Sequence, residues 1–215
     1  MMYAALIGDL VESKKLPDRQ YVQEQLKQIL AELNQEYSSA VASNLTVTLG
    51  DEFQGLFKTP DVLLEIADKI KFRMLPVKVR FGIGFGDITT DITRELSIGA
   101  DGPAYWHARA AIETVHDTGG LMIIWDEDSP LQQVVNDSLA LCDFVESRWR
   151  DSQTALIRES ILNFGHSLDV SQVKLAELLG ITTQAVNQRV QSTGYYQYLG
   201  MKNSITRSLK KEWDK

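Results

Sequence analysis

The sequence holds a single cysteine in 215 residues. That excludes an intrachain disulfide and any cysteine-built metal cluster. Cys142, within LALCDFV, reads as a small buried apolar residue. No apolar run approaches the roughly 20 residues that a membrane span needs. The opening MMYAALIGDLVESKK places its lysines after a short apolar run, the reverse of a secretory signal. A strand in a cytoplasmic protein is the expectation. Internal repeats, low-complexity tracts and long flexible linkers are missing too. What is there is an ordinary globular composition, 44% hydrophobic and 24% charged, long enough for one large domain or two smaller ones.

The net charge of −7 is unevenly spread. Residues 1–150 carry 14 basic and 23 acidic side chains, whereas residues 151–215 carry 8 and 6. An acidic body with a mildly basic tail leaves the tail as the contact for any nucleic acid.

Hydrophobic periodicity predicts a buried strand at YAALIGDL and an amphipathic helix from Tyr21 to Tyr37. NLTVTL and EFQGLF read as a hairpin with a two-residue tip at Gly50-Asp51. A second helix opens after Thr59-Pro60, and VKVRFGIGFGDI is a long strand. PAYWHARAAIETVH is a third helix, stopped by Gly119-Gly120, and LMIIW a further strand. This order predicts an α+β ferredoxin-like or palm domain over residues 1–128, with helices packed on one face of its sheet. A helical connector follows over 129–165, then an all-α helix-turn-helix module over 166–215.

In such a sheet the first strand is central and neighbours the hairpin. Asp9, closing that strand, and Asp51 with Glu52, at the hairpin tip, are then expected at one edge. Carboxylates beside strand-end carbonyls make a hard oxygen site for Mg²⁺ or Mn²⁺, completed by the phosphates of a nucleotide. Ser13, Lys14 and Lys15 follow Asp9 at a helix start and suit those phosphates. The alternative is a pair of surface turns with solvated charges.

ALIGDLVESKKL, TLGDEFQGLF, VRFGIGFGDI and GADGPAYWHARAAI together resemble the SatD family of bacterial proteins, in the same order over roughly the first 125 residues. More distantly the same blocks resemble the class III nucleotidyl cyclase and GGDEF palm domains. That resemblance implies metal carboxylates at Asp9 and Asp51, supported by Glu52. It implies a purine nucleotide beside Gly84 and Gly86 of GIGFG, with Arg109 as the charge-stabilising arginine. Asp101 is either a helix cap or a contact to ribose or base. Tyr105 and Trp106 read as core or dimer contacts, and a homodimer is implied. The sequence also departs from those patterns. Val47 stands where cyclases place a base-reading lysine, Trp106 where they place asparagine, and Leu49 where the GGDEF pattern has its first glycine. Arg109 is one residue out of step. Metal and nucleotide binding is therefore expected ahead of turnover, and cyclase-like phosphoryl transfer stays open.

In the tail, SQVKLAELLGITTQAVNQRV has a small residue, Ala176, then Gly180, then Val186. This spacing resembles the helix-turn-helix of many bacterial regulators. The resemblance implies DNA contact by Thr183, Gln184, Asn187, Gln188 and Arg189, with Lys202 on phosphates. A helical hairpin packing on the palm or on a second subunit is the alternative. The leading expectation is a metal- and nucleotide-binding palm coupled to a DNA-binding module in a transcriptional regulator. A degenerate palm serving as a dimerisation scaffold is a further alternative.

Overall fold

The computed structural model describes residues 2–15, 17–48, 50–126 and 128–215. The first strand, β1 (Tyr3–Leu10), buries Ala4, Leu6 and Leu10 on one side of the sheet and Ala5 and Ile7 on the other. Burial on both faces is why its sequence is a continuous apolar run. α1 (Arg19–Glu36) then leads to the hairpin of β2 (Val41–Val47) and β3 (Glu52–Phe57). α2 (Leu63–Met74), β4 (Val79–Gly86), α3 (Pro103–Thr114) and β5 (Leu121–Ile124) complete the sheet region. The strand order is β2-β3-β1-β4-β5, with β1 antiparallel to both β3 and β4, and β5 parallel to β4. The expected central position of β1 beside the hairpin is observed.

The hairpin tip is longer than two residues. β2 ends at Val47, β3 begins at Glu52, and the Thr48 amide donates to the Glu52 carbonyl at 2.8 Å. Leu49 lies outside the described residues.

The helices occupy both faces of the sheet, not one. α1 and α2 cover the side that carries Phe53, Phe57, Val79, Phe81, Ile83 and Phe85. α3 covers the other side, where Ala104, Ala108 and Ile112 pack on Ala5 and Ile7. The reason is written in β4. Its apolar residues alternate with Gly82, Gly84 and Gly86, and a methyl group at any of the three would run into α3. Backbone-to-backbone approach of helix and strand needs glycine there.

Both sheet edges are closed by an asparagine from a neighbouring helix. Asn34 of α1 exchanges two hydrogen bonds with the Leu45 backbone of β2, at 2.8 and 2.9 Å. Asn136, on α4 (Pro130–Glu146), does the same with Ile123 of β5, at 2.9 and 2.8 Å. Each carboxamide pairs an N–H and a C=O that an open edge would leave to another chain. The irregular segment 87–102 also packs on the hairpin. The Gln54 side chain donates to Ser97 O at 2.7 Å, and the Asn44 amide to Arg94 O at 2.9 Å.

α5 (Asp151–Phe164), α6 (Gln172–Leu179), α7 (Thr183–Thr193) and α8 (Tyr195–Trp213) form the C-terminal part around Ile157, Ile161, Leu175, Val186, Val190 and Leu199. Gly180 takes the left-handed conformation between α6 and α7, Ala176 is nearly buried, and Val186 is fully buried. α8 then returns to the sheet. Ile205 and Leu209 join the main core under the sheet, and Trp213 meets Phe85 edge-on at 5.6 Å.

A buried polar cluster fastens these parts together. Asp68 of α2 lies 3.0 Å from Lys71, 3.2 Å from Lys202 of α8 and 2.9 Å from His166 Nε2. Lys71 also meets Glu146 of α4 at 2.6 Å, and the Tyr198 hydroxyl donates to the same carboxylate. Lys202 is 2% exposed. Its ammonium neutralises Asp68 and is closed to a DNA phosphate, which corrects the role expected from the sequence.

Candidate functional site

β1, β3 and β4 bring one end of the sheet together on the α3 face. In the strand register Asp9 stands between Glu52 of β3 and Arg80 of β4. Asp9 shares its side of β1 with Ala5 and Ile7, the side α3 covers. α3 runs with its N-terminus over Gly86 and its later turns over Gly82, so Arg109 arrives above this end. Two of its nitrogens bind Glu52, at 2.5 and 2.9 Å.

Each carboxylate here has its own guanidinium. Arg80 donates Nε to Asp9 Oδ2 at 2.9 Å and adds a second bond through Nη2, while Nη1 reaches the His116 carbonyl. Asp51 accepts from the Ser13 hydroxyl and faces Arg19 Nη2 at 3.6 Å. Gln23 of α1 donates to Gly50 O at 2.6 Å, so the first turns of α1 brace the hairpin tip. Burial pushes the Asp9 carboxyl above its ordinary range, Arg80 opposes that, and the charges of Asp51 and Glu52 add to it. The three acids are close enough to feel one another. Contact with Glu52 holds Arg109 more firmly protonated. Among the described residues no group of three or more His, Cys, Asp and Glu is arranged to hold a metal ion.

The sequence-predicted residues divide into two sets. Asp9, Ser13, Asp51, Glu52 and Arg109 share this end. The segment after Asp9 is a turn in which Glu12 has φ 54°, then a short 3-10 stretch Ser13–Lys15; α1 opens only at Arg19, capped by Asp18. No helix N-terminus is therefore presented by residues 13–15. Lys15 pairs with Glu12 at 2.6 Å, and Lys14 is exposed.

Gly86 lies opposite Tyr3, six register positions from Arg80, or about 20 Å along the strand. Asp101 is at that far end as well. Its carbonyl accepts from the Thr89 amide at 2.8 Å, and its side chain accepts from the Trp106 indole at 2.8 Å. Gly84 faces the backbone of α3 between Ala104 and Ala108. Gly84 and Gly86 therefore seat a helix, and with Asp101 they stand apart from the carboxylates instead of lining one nucleotide site with them.

Arg19 and Arg80 escaped the sequence reading. Strand parity held the signal for Arg80, which alternates with the buried residues of β4 and falls on the side of Asp9. Arg19 gave none, because its role depends on where α1 starts.

In the C-terminal part, Thr183, Gln184, Asn187 and Gln188 are exposed along α7, and Arg189 is half-buried. Thr182 caps that helix by accepting from the Ala185 amide at 3.2 Å.

Comparison with known proteins gives one family. The SatD family matches residues 3–209. No curated protein matches the chain. A bacterial light-regulated adenylyl cyclase is similar at 14% identity and a TM-score of 0.43, over 57% of this chain and 74% of that one. The adenylyl cyclase CyaB from P. aeruginosa is similar at 13% identity and 0.41, over 57% and 76%. The guanylyl cyclase Cya2 gives 13% and 0.38, over 57% and 74%. No helix among the described residues is long and apolar enough to cross a membrane.

Proposed function

The chain belongs to the SatD family, and we propose that the end of its sheet binds a divalent metal together with a nucleoside polyphosphate. The supporting observation is the self-neutralised cluster of Asp9, Asp51 and Glu52 with Arg80, Arg19 and Arg109. Three acids and three guanidiniums satisfy one another when nothing else is present. A metal-nucleotide offers a partner to both halves, a cation for the carboxylates and phosphate oxygens for the arginines. Asp9 and Asp51 would hold the metal. Mg²⁺ commonly takes one or two carboxylates and leaves its other positions to phosphate and water, which suits this donor set. When bound, the metal would neutralise phosphate charge.

The chain's own part is orientation. Arg80 is braced by the His116 carbonyl, and Arg109 projects from α3 over the same end of the sheet. Lys14 is exposed beside the turn and adds a mobile positive charge. Binding is proposed ahead of turnover, because Val47 and Trp106 stand where cyclases place a base-reading lysine and an asparagine. The test uses the full chain with Mg²⁺ or Mn²⁺ and each nucleoside triphosphate, following binding by calorimetry and products by mass spectrometry. Metal-dependent binding that weakens at least tenfold in Asp51→Asn is expected. Absence of binding at millimolar nucleotide overturns the reading. A cyclic nucleotide or pyrophosphate that disappears in Asp51→Asn would make the protein an enzyme.

A second reading concerns α7. Its exposed Thr183, Gln184, Asn187 and Gln188, with Arg189 alongside, are residue types suited to base edges, and this favours DNA contact, most effectively as a homodimer. Selection from a randomised duplex library tests it. An enriched motif lost in Gln188→Ala and Arg189→Ala supports DNA binding, and failure to enrich any sequence at low salt removes it.

A further inference from the structure

A cleft of about 840 Å³ opens between the C-terminal end of α2, the start of β5 and helix α4. Its size suits a small organic ligand. Phe72, Leu75, Val115, Met122 and Trp149 line it with apolar surface. Its charged lining is Lys71 and Lys78 against Asp117, Asp137, Asp143 and Glu146, a net excess of two negative charges. Three of these already have partners. Lys71 is held between Asp68 and Glu146, and Asp117 lies 2.7 Å from His116 Nδ1.

Asp143 differs. Its carboxylate lines both the cleft and a recess of about 20 Å³ leading inward to Asp68 and Lys202. One carboxylate oxygen occupies the space that Gly120 leaves by having no side chain. Its backbone carbonyl accepts from the Ser147 amide at 3.0 Å, but no hydrogen bond or ion pair ties the Asp143 carboxylate to another described residue. Burial pushes its carboxyl above the ordinary range, and Lys71 and Lys202 only partly offset this. An ionised carboxylate in such a place gains from a cation brought to it. An anion meets repulsion from Asp143 and Asp137, which separates this cleft chemically from the phosphate-binding end proposed above.

We propose that the cleft binds a small organic cation, an ammonium or amidinium on an apolar body, with its charge on Asp143. The apolar walls take the body, and the carboxylate at the inner end takes the charge. This assignment is independent of the metal-nucleotide reading.

Benzamidine is the probe, with benzamide and benzoate as the neutral and anionic controls of the same shape. Binding is read from amide resonance shifts of Gly119, Gly120 and Met122. Benzamidine is expected to shift them, with benzamide at least tenfold weaker and benzoate silent. Asp143→Asn is expected to abolish the preference for the cation. Ala140→Trp, at an exposed lining position, fills the cleft without touching the buried cluster and is expected to block binding even if Asp143→Asn fails to fold. Equal binding of benzamide, unchanged binding in Ala140→Trp, or no shift at about 10 mM benzamidine would each overturn the proposal.

Discussion

A methyl group at Gly84 would overlap the carbonyl of Ala104 and the amide of Ala108, both backbone atoms of α3. No side chain can rotate away to admit it. Gly84→Ala is therefore expected to destabilise the fold by about 1–3 kcal/mol, the usual range for overpacking. Gly200, within α8, has open space where its methyl would go. Gly200→Ala is expected to stabilise by up to about 1 kcal/mol through helix propensity alone. Urea unfolding of the two variants checks the pair: the midpoint should fall for the first and rise for the second. Equal shifts would mean that the glycines of β4 do not seat α3. At this scale the sequence was partly legible. The three glycines were visible as a pattern, but a pattern of small residues suits an approaching nucleotide as well as an approaching helix. Only the register, which sets Gly86 about 20 Å from the Asp9 end, separates the two.

Among the elements, α2 and α8 are joined by charges that few interiors tolerate. Asp68 and Lys202 are each 2% exposed, at 3.2 Å. Burial alone would raise the Asp68 carboxyl, but Lys202, Lys71 and His166 outweigh it and hold the group well below its ordinary value. A carboxyl depressed in the folded state contributes stability above its unfolded value of about 3.9 and loses it as pH falls through the folded value. Asp68→Asn leaves Lys202 buried without its counter-charge, a change expected to cost about 3–5 kcal/mol near neutral pH. The gap between wild type and Asp68→Asn should then narrow as pH drops below about 4, where Asp68 begins to protonate in the unfolded chain while the folded state keeps it ionised. Unfolding free energies at pH 7, 5 and 3.5 measure this. A gap that stays constant over that range would show that the Asp68 charge is not what joins the helices. Lys202 illustrates why this was hidden from the sequence. A lysine in a basic tail looks like a phosphate contact until α8 is seen to turn back under the sheet.

For the molecule as a whole, the order of strands and helices was readable, because apolar alternation and glycine stops mark each element locally. The divisions expected at residues 128 and 165 rest on weaker signals, a change of composition and a stretch of helix. The core does not respect them. Val135 and Leu139 of α4, with Ile205 and Leu209 of α8, are buried in the same cluster as Leu6, Phe57 and Ile83. At roughly 1.5–3 kcal/mol for each buried large aliphatic side chain, these four contribute roughly 6–12 kcal/mol. That is comparable to the total stability of about 5–15 kcal/mol of a typical domain. Removing α4 also takes Asn136 from the β5 edge and leaves its backbone groups open to other chains. A fragment of residues 1–128 is thus expected to lack a cooperative unfolding transition and to self-associate, although it contains every strand of the sheet. Calorimetry and sedimentation on that fragment check the expectation. A sharp transition in a monomeric 1–128 fragment would instead show that the sheet with α1, α2 and α3 is a self-sufficient core. The C-terminal helices would then be an attachment, and the buried Asp68 cluster a hinge between two bodies.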